Sequence, residues 1–300
     1  MTSVPSARVS ELVAQLTLEE KCQMVAGASA WIVHGCERLG VPEWCVSDGP
    51  VGVRGRALGP GLVVPGPSAM AATWNPVLVR EVGAALGAEC WDRKVDVLLA
   101  PTVNLHRSPR GGRHFESYSE DPELSSRTAV AYIEGVQSEG VGACVKHFVA
   151  NDQEHERFTI NVEVDERSLR EIYLPPFEAA VTEAKVRSVM GAYNFVNGQH
   201  ACAHDELLVD LLKREWEFDG FVVSDWGALK ETVAPAVNGL DLEMPGPGRH
   251  WGRGQLQAAV ESSEVDSELV DDKVARLLGF LEWAGRLDTA TDHEETSIER

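Results

Sequence analysis

Apolar positions along this chain follow two periods in turn, one helical and one extended. Thr17 stands three residues before Glu20, the spacing of a capping box, and apolar residues run to Met24 and Val25 before Gly27 offers a stop, which predicts a short helix. Asn75-Pro76 and Asp121-Pro122 each set a capping side chain ahead of a proline suited to the first helical turn. The amphipathic runs behind them, ending near Arg93 and Gly140, predict two longer helices. Asp205 is placed to cap another, with Leu207, Leu208, Leu211 and Leu212 on one face, and a last amphipathic helix is expected from about Val265 to Leu287.

Between the helices lie short apolar runs, Val95 to Ala100, Val141 to Val149, Val186 to Tyr193 and Gly220 to Ser224. Each is too short for a helix and rich in Val or Ala, so each reads as a buried strand. Strand and helix alternate, which implies a parallel sheet with helical crossovers, either a closed barrel or an open doubly wound sheet. No glycine fingerprint follows a strand, and the chemically unusual residues sit at the C-terminal ends of several strands, where barrels carry their sites. The expected fold is therefore α/β, a (β/α)8-type TIM barrel with room for irregularity, over residues 1–287. From residue 288 to 300 the chain is acidic and loses apolar periodicity, as a linker does.

Composition narrows the function classes. With 300 residues, 44% of them hydrophobic, the chain can bury one large core. Six cysteines, at 22, 36, 45, 90, 144 and 202, form no C-x-x-C pair, which argues against a disulfide framework and a thiolate zinc site. The net charge of −20 opposes nucleic-acid partners, because such binding rests on cations neutralising phosphates. No stretch resembles a signal h-region or a membrane span, so a soluble, cytoplasmic protein is expected.

The candidate chemistry clusters at strand ends. Val222-Val223-Ser224-Asp225-Trp226-Gly227 delivers a carboxylate at the end of a hydrophobic strand, although an acid there can equally cap the next helix. Lys146-His147-Phe148 ends another strand with two groups able to donate hydrogen bonds; Arg157 follows ten residues after His147 and has an alternative as a surface ion-pair partner. Ser47-Asp48-Gly49-Pro50 with Val53-Arg54 supplies a further acid at a turn, and a carboxylate there can accept from two sugar hydroxyls. Arg113, in a loop loosened by Gly111 and Gly112, carries a fork suited to diols or carboxylates.

Taken in order, these residues resemble glycoside hydrolase family 3, the β-glucosidase-like branch, from about Leu16 to Leu287. The resemblance rests on Ser47-Asp48-Gly49-Pro50 with Gly52-Val53-Arg54, Gly112-Arg113 to Phe115-Glu116, Tyr118-Ser119-Glu120-Asp121-Pro122, Lys146-His147-Phe148 with Asn151, Met190 to Asn194, and Val223-Ser224-Asp225-Trp226. It implies a retaining β-glycosidase with Asp225 as nucleophile. Asp48, Arg54, Arg113, Lys146, His147, Arg157, Met190, Tyr193 and Trp226 would bind a β-glycoside, most readily a β-glucoside. It implies no cofactor and no metal. In this branch the acid/base Glu comes from an α/β domain after the barrel, so residues 288–300 are expected to lead toward a second domain absent from these residues.

Two rivals remain. A catalytically impaired, carbohydrate-binding barrel would keep the same cradle, and a β-xylosidase or β-N-acetylhexosaminidase specificity would keep the same nucleophile. In the single-domain hexosaminidase branch an Asp-His pair follows Lys-His-Phe-Pro-Gly. Here Lys146-His147-Phe148 runs into Val149-Ala150, leaving His155 as a weak acid candidate. His200 and His204 suggest a metal hydrolase, but they follow the Asn197-Gly198 turn without an H-E-x-x-H helix. Homo-oligomerisation stays open.

Overall fold

The computed structural model describes residues 5–54 and 61–288. The expected acidic linker therefore lies, apart from Asp288, outside the described residues.

Nine strands occur among the described residues: β1 (Ile32–Val33), β2 (Trp44–Asp48), β3 (Val97–Leu99), β4 (Gly142–Phe148), β5 (Asn161–Val162), β6 (Ser188–Gly191), β7 (Phe195–Val196), β8 (Gln199–His200) and β9 (Phe221–Ser224). The main sheet runs β1-β2-β3-β4-β6-β9; β1 is antiparallel to β2, and every other neighbouring pair is parallel. β5, β7 and β8 form a small separate sheet beside it. The main sheet curls, and isolated bridges span the gap between its edges: Val223 to Leu242, Glu243 to Ala26, and Gly27 to Val33. The result is an irregular (β/α) barrel whose seam consists of two short extended segments rather than full strands.

Every residue of β4 is buried, as expected for a parallel strand covered on both faces. Trp44, Phe221 and Phe280 pack with ring centroids 5.3–5.6 Å apart, tying β2 and β9 to the helix Ser267–Trp283. Gly142 on β4 leaves room for that cluster, since a Cβ there would sit 2.8 Å from the Phe280 ring. The helices Pro76–Asp92 and Pro122–Gln137 approach just as closely. A Cβ on Gly135 would lie 2.1 Å from the Arg80 carbonyl oxygen, and one on Gly83 would lie 2.4 Å from that of Tyr132.

The predicted starts hold at most places. Thr17 and Glu20 form the reciprocal capping box of Leu18–Met24; Asn75 caps Pro76–Asp92 and Asp121 caps Pro122–Gln137. The last helix is shorter than expected, Ser267–Trp283, with Asp266 as its cap. Asp205 corrects the reading: it already has helical dihedrals and its side chain caps nothing, so the wide-turned helix Glu206–Glu215 begins without it. The four leucines are nonetheless buried on the inner face. Ala7–Gln15, capped by Ser6, is a helix that the pattern did not announce.

Two buried charges fix the segment that carries Asp225. Asp241, fully buried, accepts from Lys213 Nζ at 2.6 Å and from the Val222 amide at 2.8 Å, joining helix, strand and seam. Glu243 accepts from the amides of Arg249, His250 and Trp251, the last at 2.6 Å, and so shapes the loop after the seam. Each carboxylate lies where backbone donors would otherwise be orphaned.

Candidate active site

At the C-terminal end of the barrel a cavity of about 170 Å³ is lined by Trp31, Asp48, Leu99, Arg113, Lys146, His147, Arg157, Met190, Tyr193, Asp225 and Trp226. Its volume is below the range usual for drug-sized ligands and suits a single small polar ring. Strand ends deliver most of these side chains: Asp48 ends β2, Lys146 and His147 lie near the end of β4, Met190 is on β6, and Asp225 follows β9. Successive residues of a regular strand face opposite ways, yet Lys146 and His147 both line the cavity. A register shift between Val145 and Phe148 against β6 breaks the alternation there, as a bulge does.

Asp225 is 7% exposed. Its Oδ1 accepts from the Trp226 amide at 2.7 Å, and its Oδ2 has no hydrogen-bond partner. Burial pushes its pKa above the ordinary value, although Lys146, the Trp226 amide, Tyr193 and Arg113 all favour the charged form. Tyr193 stands beside it and donates to the Trp226 carbonyl at 3.1 Å. Asp48 behaves oppositely. Burial alone would raise its pKa, but Lys146, whose Nζ lies 2.7 Å from Oδ1, holds it below the ordinary value, with Arg113 and Arg54 adding to the effect.

The protonation of His147 follows from its neighbours. Asn104 donates from Nδ2 to the His147 carbonyl at 3.0 Å and accepts at Oδ1 from the His147 amide at 2.9 Å, which fixes the orientation of the Asn side chain. His147 Nδ1 lies 3.0 Å from that same Oδ1 and must therefore carry a proton. Burial, then the charges of Arg113, Lys146 and Arg157, hold the imidazole well below its usual pKa and hence neutral. Its Nε2 consequently presents a lone pair toward Asp225 Oδ2, 3.6 Å away. Two acceptors face each other across that gap, so neither satisfies the other.

The arginines are held from behind. Arg113 donates from Nε to Glu116, which also accepts from Thr102, while Arg157 donates to Glu154 and lies over the Tyr193 ring at 4.6 Å. Trp226 and Trp31 form an aromatic wall, with centroids 5.3 Å apart and the Trp226 indole donating to the Ala30 carbonyl at 3.0 Å.

Of the residues predicted from the sequence, Asp48, Arg113, Lys146, His147, Arg157, Met190, Tyr193, Asp225 and Trp226 thus meet in one cavity. Arg54 does not line it; its side chain is exposed and it acts on Asp48 only through its charge. His155 is exposed and absent from the lining. His200 and His204 are buried elsewhere, His200 accepting from the Cys202 amide, and no group of three His, Cys, Asp or Glu suited to a metal occurs among the described residues. Sequence reasoning missed Trp31 and Leu99 in the lining, and Asn104, Glu116 and Glu154 behind it. Trp31 lies in an irregular stretch without periodicity, Leu99 reads as one more apolar residue of a buried strand, Asn104 gains meaning only from His147, 43 residues away, and Glu116 and Glu154 pair with arginines three residues away, a spacing equally common in surface ion pairs.

A polar cavity at the C-terminal ends of the strands, with one buried carboxylate oxygen left unpaired, stands where (β/α) barrels carry their active sites. The chain belongs to the family described as glycosyl hydrolase family 3 N terminal domain, whose model matches residues 10–280. It is 47% identical over 295 residues to a beta-glucosidase of Rhizobium radiobacter, covering 97% of this chain and 36% of the relative. With thermostable beta-glucosidase B of Acetivibrio thermocellus it shares 44% identity, covering 90% and 37%. Among solved structures, beta-glucosidase 3B from Thermotoga neapolitana in complex with glucose matches with a TM-score of 0.90 at 40% identity, covering 94% of this chain and 43% of that one. The chain thus spans little more than a third of the length of these curated relatives. No helix among the described residues is long and apolar enough to cross a membrane.

Proposed function

We propose that this chain carries the glycone site and nucleophile of a retaining β-glycosidase acting on terminal β-D-glucosides. The observation that carries the reading is Asp225 Oδ2, buried and without a partner at the wall of a polar cavity. In the first step this oxygen attacks the anomeric carbon as the bond to the aglycone oxygen breaks, and that oxygen takes up a proton. In the second step water gives up a proton to the group that served as acid and adds to the same carbon as the bond to Asp225 breaks, so that configuration is retained. Asp48, Lys146, Arg113, Arg157 and neutral His147 hold the ring hydroxyls, with His147 Nε2 as an acceptor; Met190, Tyr193 and Trp226 pack around the ring. Arg54 contributes only its charge, which acts on Asp48.

The same geometry leaves the proton donor unassigned within the cavity. A retaining pair needs its second carboxyl about 5 Å from the first. Asp48, the other carboxylate in the lining, is kept ionised by Lys146 and is a poor acid. We assign the donor to a Glu on a following α/β domain, for which the greater length of the relatives leaves room. The relatives named beta-glucosidase favour a glucoside over a xyloside or an N-acetylhexosaminide. The six free, buried thiols fit a reducing, cytoplasmic setting.

Incubation with a 2-deoxy-2-fluoro-β-glucoside bearing an activated leaving group tests this, because such a leaving group departs without an acid. A label on the peptide carrying Asp225 is expected. A folded chain that binds glucose but takes no label would establish instead the noncatalytic, carbohydrate-binding reading.

A further inference from the structure

Arg113 and Arg157 both line the cavity, on separate loops, and like charges brought together in a half-buried site repel unless an anion lies between them. Glu154 lies there. Its Oε2 takes the hydrogen bond from Arg157 Nη1, and its Oε1 lies 3.7 Å from Arg113 Nη1. That Oε1 is buried and accepts no hydrogen bond, so this edge of the carboxylate faces Arg113 by charge alone. The surrounding backbone is shaped to admit the side chain. Gly112, with φ +91, passes so close that a Cβ there would stand 3.1 Å from Glu154 Cγ. Arg113 has Glu116 as a second partner, whereas Glu154 is the carboxylate that reaches both arginines.

We infer that Glu154 is a positioning residue for glycone recognition. It bridges Arg113 and Arg157, sets the spacing between their guanidinium groups, and offsets the positive charge that they project toward Asp225. Glu154 does not line the cavity itself and so acts through the two arginines. This inference rests on the reading of Asp225 as nucleophile. It also separates two roles of charge in the site: Lys146–Asp48 is a pair inside the cavity, while Glu154 is the counter-ion behind it.

Glu154→Gln removes the charge while keeping the shape, and Glu154→Asp keeps the charge on a shorter stem. Inactivation of the full chain by the 2-deoxy-2-fluoro-β-glucoside reads both consequences, with thermal melting as the check on folding. For Glu154→Gln the inhibitor concentration giving half-maximal inactivation is expected to rise about tenfold or more, the weight of one charge-assisted contact. The acidic limb of the inactivation rate should also move to lower pH, because removing a nearby anion eases ionisation of Asp225. Glu154→Asp should restore the position of the limb. A merely structural role would lower the melting temperature without moving the limb. Unchanged inactivation and an unchanged limb in folded Glu154→Gln overturn the inference. Failure of the unsubstituted chain to take label would instead overturn the proposed function.

Discussion

Asp225→Asn should make the chain more stable while abolishing its labelling. Asp225 Oδ1 accepts from the Trp226 amide, which the carbonyl oxygen of an asparagine can keep. The group replacing Oδ2 would be an NH₂, 3.6 Å from a His147 nitrogen that bears a lone pair, so an acceptor facing an acceptor becomes a donor facing an acceptor. The lost attraction to Lys146 and Arg113 acts the other way. The raised pKa of Asp225 decides the sign, since a folded state that prefers the neutral carboxyl also prefers a neutral isostere. Function-linked strain of this kind is typically worth about 1–2 kcal/mol, or roughly 2–6 °C in a chain of this size. The dependence on pH follows from the direction of the shift. Above its folded pKa the carboxylate imposes its full cost, the cost falls as pH drops through that pKa, and it vanishes below the ordinary value of 3.8. Calorimetric melts of both chains from neutral to about pH 4 should therefore show an advantage for Asp225→Asn that shrinks on acidification. A less stable Asp225→Asn chain at neutral pH, or an advantage that grows in acid, would refute the argument.

Lys146→Met strands Asp48; because Lys146 is buried while the Asp48 side chain is 36% exposed, the cost should be about 1–2 kcal/mol rather than the value for a fully buried pair, with glucose binding lost in calorimetry. Asn104→Asp puts a carboxylate against His147 Nδ1 and should raise the imidazole pKa, visible as a shifted His147 titration by NMR; an unchanged titration would show that Asn104 does not set the protonation of the ring. Gly135→Ala gains helix propensity but drives a Cβ against the Arg80 carbonyl oxygen, so denaturant melts should show a loss of about 2 kcal/mol. A gain would mean that the two helices separate at no cost.

Which residues gather in the candidate cavity was largely legible, because Asp48, Lys146, His147 and Asp225 are chemically unusual residues at or near the ends of strands. The four long-range strands β3, β4, β6 and β9 were legible in turn, as buried parallel strands are continuous and apolar. Their exact ends were not, since backbone pairing rather than composition decides where a ladder stops. The seam was invisible because Ala26, Gly27, Leu242 and Glu243 pair through single bridges and leave no periodic trace. Asp205 misled for a local reason: an acid ahead of a leucine face looks like a cap whether or not the helix has already begun. His147 could be recognised as a candidate, but its neutral form with the proton on Nδ1 needed Asn104, 43 residues away in sequence.

That seam gives the barrel a clasp. Between the segments at 25–27 and 243 the backbone is held by two hydrogen bonds, from Gly27 to the Glu243 carbonyl and from Glu243 to the Val25 carbonyl. Across the mouth above them, the Trp226 indole reaches the Ala30 carbonyl and packs on Trp31, so the aromatic wall of the cavity also straddles the join. A sugar resting on that wall would fasten the two edges together. The amides of Gly27 and Glu243 should then exchange with deuterium faster than those inside β4 in the free chain, and slow selectively when glucose is bound.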